Sequence, residues 1–296
     1  MNSKNTNMNL GYACINLTLG KNITTNRTMI KKTFTQKGLE YVSDLVLQNV
    51  ADLERIIDWN YQNGINFYRM SSDMFPWATE YEFTQLKDWN LISTILKRCG
   101  DKAKQYGQRL TFHPGPFNVL VSPNKSVVEK TIADLELHAK VFDMMGLSKT
   151  PYNKINIHCN GVYGDKKSAM DRFCDNFQRL SESVKNRLTI ENDDKASMYS
   201  VKDLMYIHKK IGIPITFDYH HHKFCTGDLT EQQALELAST TWPKGITPAV
   251  HYSESAVDKK PQAHSDYIYE KIDTYGVKVD IMVEAKQKDL AIINFI

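Results

Sequence analysis

The nine residues Pro214-Ile215-Thr216-Phe217-Asp218-Tyr219-His220-His221-His222 form a short apolar run that ends in one carboxylate and three imidazoles. With Gly212 and Pro214 bounding it, such a run reads as a buried strand that delivers its polar end into a pocket. On an extended chain alternate side chains share a face, which sets Asp218, His220 and His222 against Tyr219 and His221. If the strand ends after Asp218, the chain turns, and Asp218 and His221 can converge on one site. A histidine tract also fits a solvated loop. What decides between these readings is whether the same event recurs along the chain.

It does recur. Apolar runs at 10–15, 65–70, 109–113, 154–158, 187–191, 246–251 and 279–284 all read as strands. Between them apolar residues repeat at helical spacing, as in Val46, Val50, Leu53, Ile57 and Tyr61, where a helix is expected from Ser43 to a stop at Gly64. The polar segment 16–38 is expected to be a solvated loop, 267–275 a last helix, and 290–296 an apolar tail. Eight strands alternating with helices predict an α/β fold of the (β/α)8 TIM-barrel type. It is expected to form a single domain over 1–296, with 1–9 disordered. The rival is a doubly wound open sheet, but neither a Gly-x-Gly-x-x-Gly fingerprint nor a phosphate-binding P-loop is present.

Composition narrows the function classes. A chain of 296 residues with 42% hydrophobic content can bury a substantial core, yet has no apolar run able to span a bilayer. Its asparagine-rich start is no signal peptide, so an intracellular protein is expected, with cytoplasm, nucleus or virion all compatible. Five cysteines without paired spacing fit a reduced environment and argue against a thiolate zinc site. A net charge of +3 is too small to identify a nucleic-acid partner by itself. Charge placement matters more than the total.

The predicted strand ends carry the chemistry. From the third strand to the eighth they read His113, His158, Glu191, Asp218, His251 and Glu284. In a barrel these ends share one rim, where such enzymes place their active sites. Imidazole mixed with carboxylate suits zinc, manganese or iron, and carboxylates crowded into one mouth would repel one another without a cation. His221, His264 and Asp266 lie in loops that could complete a further site. His138, His208 and Cys159 are expected to pack or face solvent.

With these residues assembled, the chain resembles the UV damage endonuclease family, whose barrel and three-metal centre are similar to those of endonuclease IV. The matching stretches are Gly11-Tyr12-Ala13-Cys14-Ile15-Asn16, Tyr68-Arg69-Met70-Ser71-Ser72-Asp73-Met74-Phe75-Pro76, His113-Pro114-Gly115, Glu191-Asn192-Asp193-Asp194, Phe217-Asp218-Tyr219-His220-His221, His264-Ser265-Asp266 and Met282-Val283-Glu284-Ala285-Lys286. The resemblance implies that His113, His158 and Glu191 hold one divalent ion. Glu191 would bridge to a second held by Asp218, His251 and Glu284, and His221 and His264, with Asp266, would hold a third. Two or three ions follow, Mn2+ expected and Zn2+ or Mg2+ as alternatives. It implies cleavage of damaged double-stranded DNA immediately 5′ to cyclobutane pyrimidine dimers and 6-4 photoproducts, leaving a 3′-hydroxyl and a 5′-phosphate. Glu191, Glu284, Asp218 and Lys286 would be catalytic.

By the same resemblance Tyr12, Asn16, Arg69, Pro116, Phe117, Tyr219 and Lys223 would contact substrate. Two departures stand out. Bacterial relatives carry Gln-Tyr where this chain has Pro116 and Phe117, and Ala249 stands two residues before His251, where relatives can have a modified lysine. Arg69, Lys223, Lys244, Lys259, Lys260, Lys286 and the lysines of 16–38 are expected to line the rim and meet phosphates. A monomer is expected, with no membrane partner. The alternatives are a sugar isomerase or epimerase on a metal barrel, and a protein that marks lesions without cutting.

Overall fold

The computed structural model describes residues 9–257, 259–293 and 295. Its strands are β1 (Asn9–Ala13), β2 (Phe67–Arg69), β3 (Arg109–Thr111), β4 (Ile155–His158), β5 (Leu188–Glu191), β6 (Ile215–Thr216), β7 (Ala249–Tyr252) and β8 (Asp280–Val283). The helices are α1 (Lys31–Gln62), α2 (Trp89–Gln105), α3 (Lys125–Met144), α4 (Lys166–Phe177), α5 (Glu182–Lys185), α6 (Val201–Ile211), α7 (Tyr219–His222), α8 (Glu231–Ser239) and α9 (Lys288–Ile293). All strand pairs are parallel, in two sheets of order β3-β2-β1-β8-β7 and β4-β5-β6. Isolated parallel bridges from Phe112 to Ile155 and from Asp218 to His251 link the sheet edges. The result is an α/β fold with a curled parallel sheet. Among the described residues, no helix is long and apolar enough to cross a membrane.

Strand parity explains the two faces of this sheet. Leu10, Tyr12, Tyr68, Leu110, Ile155, Ile157, Leu188, Ile190, Ile215, Val250, Ile281 and Val283 all join the large core shared with the helices. The alternate positions Ala13, Phe67, Ala249 and Met282 form a separate small cluster with Trp242. The rest of that inner face is polar, carrying Arg109, Thr111, Asn156, Thr189, Glu191, Thr216, Asp218 and His251, all buried. Gly11 shares its parity, and a Cβ there would lie 2.3 Å from the Phe67 carbonyl oxygen. The close approach of β1 to β2 therefore requires glycine.

Three expected boundaries move. Asn9, placed in a disordered start, opens β1, while residues 1–8 lie outside the described residues. The segment 16–38 is loop only as far as Ile30, because α1 begins at Lys31 and continues through a kink at Gly38, where φ is +61°. A glycine punctuating a polar run hid the first two turns. The helix expected over 267–275 does not form. Glu254 instead accepts from the backbone N–H groups of Tyr269 and Glu270, both at 3.0 Å, so a carboxylate takes donors that a helix would use internally.

Candidate metal centre

The carboxyl ends of β3 to β8 bring their polar residues together around Glu191. This side chain, 0% exposed, meets four imidazoles: His113 Nε2 and His251 Nδ1, each 3.1 Å from Oε2, His158 Nε2 at 3.7 Å from Oε2, and His221 Nδ1 at 3.2 Å from Oε1. Asn156 donates to the same carboxylate. The donor groups of His113, His158 and Glu191 lie close enough together to share one cation, as do those of Glu191, Asp218 and His251. Glu191 is common to both sets.

Local structure sets these positions. β6 ends before Asp218, whose side chain caps the short turn of α7 by accepting from the His221 backbone N–H at 2.8 Å. The chain thus turns and Asp218 and His221 converge, with Nδ1 of His221 3.8 Å from Oδ2. His220 and His222 are buried beside the turn. Behind two of the rings stand oxygen acceptors, Pro114 O 3.2 Å from His113 Nδ1 and Asp193 Oδ1 3.1 Å from His158 Nδ1, while Asn192 O lies 2.9 Å from His221 Nδ1, the same atom that faces Glu191. Such partners fix ring orientation. Thr189 donates to Asn156 Oδ1 at 2.7 Å, which steadies the amide that holds Glu191.

The donor set fits divalent cations. Among the described residues Glu191 Oε1, Asp218 Oδ2 and His251 Nδ1 are buried without a hydrogen-bond partner. Buried polar atoms left this way carry a large desolvation penalty, which a shared cation removes. Burial pushes Asp218 up to about 7, helped by the charges of Glu191 and Glu284. Burial opposes ionisation of Glu191 as well, but His251 and His158 hold it well below the ordinary range. Burial would lower His221, yet Asp218 and Glu191 raise it to about 11, whereas burial and Lys154 take His251 down to about 3.

These shifts have a consequence for stability after chelation. Asp218 and His221 bind protons more tightly when folded, so each contributes stability that is lost as pH rises through its folded value. His251 has the opposite sign and adds stability from about 3 up to its ordinary 6.5, offsetting Asp218 there. Burial holds Lys154 well below its ordinary value, so it has the opposite sign to His221 and gains stability as pH rises toward 10.5. The metal-free wild type is therefore expected to change less with pH above 6.5 than Lys154→Met, which lacks this offset and should lose up to about 1.4 kcal/mol per pH unit. Melting temperatures at pH 6 to 9 check this. Equal slopes for the two proteins between pH 7 and 9 would contradict the assignment.

Several expected residues fall elsewhere. Glu284 Oε1 lies 3.3 Å from His251 Nδ1, but its charge partner is Arg69, so Arg69 is committed to a carboxylate and is not a free phosphate contact. Tyr12 is 0% exposed, because parity turns it outward under α1, where its hydroxyl donates to Asn60 Oδ1 at 2.7 Å. Asn16 is buried donating to that hydroxyl, and Tyr219 is buried donating to Asp273 O at 3.0 Å. All three are buried. Lys286 is exposed beside Lys259, which lowers its pKa. Lys288 is the lysine that senses Arg69, Cys14 and Glu284, after burial as the main influence on it.

The expected third set is drawn together less closely than the first two. Among the described residues, no group of three donors includes His264 or Asp266; His264 packs 5.3 Å from the His220 ring and Asp266 is exposed. Lys244 precedes β7 and so lies at the opposite end of the strand from His251. Lys223 and Lys260 are exposed. Pro116 lines a cleft of about 290 Å³ with Arg69, His113, His158 and Glu284, and Phe117 beside it is 88% exposed. His138, His208 and Cys159 make packing or backbone contacts, as expected. Sequence reasoning missed Asn156 and Lys154, although both share the parity of His158.

Residues 8–296 match the UV-endonuclease UvdE family. The chain belongs to the UV-endonuclease family. A UV-damage endonuclease of Schizosaccharomyces pombe is 38% identical over 96% of this chain and 49% of its own length, so the chain spans about half of that relative. The crystal structure of SacUVDE is 32% identical, with a TM-score of 0.86 over 97% of this chain and 96% of the other. Endonuclease IV from Thermus thermophilus, 11% identical with a TM-score of 0.56 over 82% and 93% of the two chains, shares the fold alone. Ala249 is buried against Phe67, Trp242 and Met282, and Pro116 and Phe117 are exposed on the rim.

Proposed function

We propose that this chain is a metal-dependent DNA repair endonuclease that hydrolyses the phosphodiester immediately 5′ to UV photoproducts, leaving a 3′-hydroxyl and a 5′-phosphate. The carrying observation is Glu191, buried among four imidazoles and shared by two donor sets at the strand ends. Membership of the UV-endonuclease family supports the substrate class. On this reading the two sheets, joined at the Phe112–Ile155 and Asp218–His251 bridges, are one (β/α)8 barrel and one domain acting as a monomer. Mn2+ is the proposed ion.

His113, His158 and Glu191 would hold one ion, and Glu191, Asp218 and His251 a second; Glu284 adjoins the second set, and His221 and His264 are the proposed ligands of a third. Divalent ions at such sites supply Lewis acidity and bring the pKa of water toward neutrality. The chain's own residues do the rest. Arg69 neutralises Glu284 beside the cleft and keeps the mouth from excess negative charge. Exposed Lys223, Lys259, Lys260 and Lys286 would bind backbone phosphates without reading sequence. Phe117 is the aromatic wedge placed to stack in a distorted duplex, where a lesion already weakens pairing.

The test is incision of a labelled duplex carrying one thymine dimer, with Mn2+ supplied, beside an undamaged duplex. A single cut 5′ to the dimer supports the reading. Binding without cutting under several metals would favour a lesion-marking protein, and neither binding nor cutting would leave sugar substrates. Phe117→Ala is expected to weaken binding to the damaged duplex roughly 5- to 150-fold, the range for loss of one base–aromatic stack. An equal loss on undamaged duplex would show that Phe117 does not probe the lesion.

A further inference from the structure

Lys154 lies on the inner face of the sheet, 1% exposed, with its Nζ 3.0 Å from His251 Nε2. A lysine this buried nearly always has a counter-ion. Among the described residues Lys154 has no carboxylate within ion-pair distance, and His251 is its one side-chain hydrogen-bond partner. On the other side of the ring, Nδ1 lies 3.1 Å from Glu191 Oε2, 3.3 Å from Glu284 Oε1 and 3.9 Å from Asp218 Oδ2. The rings of His113 and His158 have oxygen atoms on the nitrogen turned away from Glu191, whereas His251 has an amine there. A half-turn of this ring about its Cβ–Cγ bond would put carbon atoms both toward Lys154 and toward the carboxylates.

We propose that Lys154 is a positioning residue: its uncharged amine accepts from the His251 Nε2–H, keeping Nδ1 free of a proton and turned to Glu191, Asp218 and Glu284, and so sets how tightly that set takes a divalent cation. This rests on the metal-centre reading above. The partner on the far nitrogen of a metal-ligating histidine typically changes affinity about 10- to 100-fold. The main chain of Lys154 is untouched by substitution, since its carbonyl accepts from the Phe112 N–H at 2.9 Å whatever the side chain.

The test compares Lys154→Met, which keeps length and removes the amine, with Lys154→Gln, which keeps a polar terminus. Long-range proton–nitrogen spectra of chelated, 15N-histidine-labelled protein, with His251→Gln for assignment, report the ring state without metal. One His251 tautomer is expected in the wild type and a mixture in Lys154→Met. Titration with Co2+, followed by visible absorption, should show binding weakened about 10- to 100-fold in Lys154→Met and less in Lys154→Gln. Unchanged His251 signals with unchanged Co2+ binding would overturn the proposal. So would equal losses in both variants with His251 signals unmoved, since that pattern means packing alone. A wild type that takes no Co2+ would sink the metal-centre reading, while the tautomer comparison would still decide the role of Lys154. If Lys154→Met fails to fold, Lys154→Gln carries both measurements.

Discussion

The Glu191→Gln protein is expected to cut a dimer-containing duplex at least about 10³-fold more slowly than the wild type while folding normally. Glutamine keeps the shape and one acceptor oxygen, so the contact with Asn156 survives in part. What it removes is the negative charge that His113, His158, His221 and His251 all face, and one ligand from each of the two donor sets at once. Among the described residues, no other side chain belongs to both sets. The substitution should therefore do more harm than His113→Gln or Asp218→Asn, each of which touches one set. Single-turnover incision with saturating Mn2+, beside binding of the same duplex and metal content, separates the effects. Retained binding, lost metal and lost cutting is the expected triad. Cutting within tenfold of wild type would mean that Glu191 does not join the sets.

The chemistry of this site was legible because it sits on strands. His113, His158, Glu191, Asp218, His251 and Glu284 could be found by asking what ends each apolar run, since period-two structure turns sequence position into direction. The same rule gives the side on which Tyr12 packs: Gly11 and Ala13 face inward, so Tyr12 faces α1. Loops gave no such handle. His264 and Asp266 lie in a long connection without regular structure, where spacing along the chain says little about distance. Ion pairing was equally hidden, because Arg69 and Glu284 are 215 residues apart in sequence and neighbours only across the sheet. Lys154 was read as the start of a strand, and nothing in its local sequence announced that a charged residue would point into the sheet's inner face.

That inner face also predicts the largest stability loss. Arg109, 0% exposed, donates from Nη1 to Asp280 Oδ2 at 2.7 Å and to Thr247 O at 2.8 Å, from Nε to Tyr152 O at 2.8 Å, and from Nη2 to Pro151 O at 3.0 Å. The rings of Phe67, Tyr152 and Trp242 surround its guanidinium at 5.1 to 5.4 Å. Asp280→Ala removes the countercharge and leaves a cation among carbonyls and aromatic faces, a change that costs about 3–5 kcal/mol for a buried pair. The Asp280 side chain is 12% exposed, so water can reach part of the gap and the lower end of that range applies. A fall of roughly 10 °C in melting temperature is expected. Arg109→Met/Asp280→Leu should be less harmful than Asp280→Ala, because no unpaired charge remains. The loss should also reach the centre, since β3 leads from Arg109 to His113 and β8 from Asp280 to Glu284. Weaker Co2+ binding in Asp280→Ala, restored in the double variant, would show that this pair holds the two strands in register for the site. Equal melting temperatures for the single and double variants would instead show that the aromatic faces and carbonyls stabilise the guanidinium without Asp280.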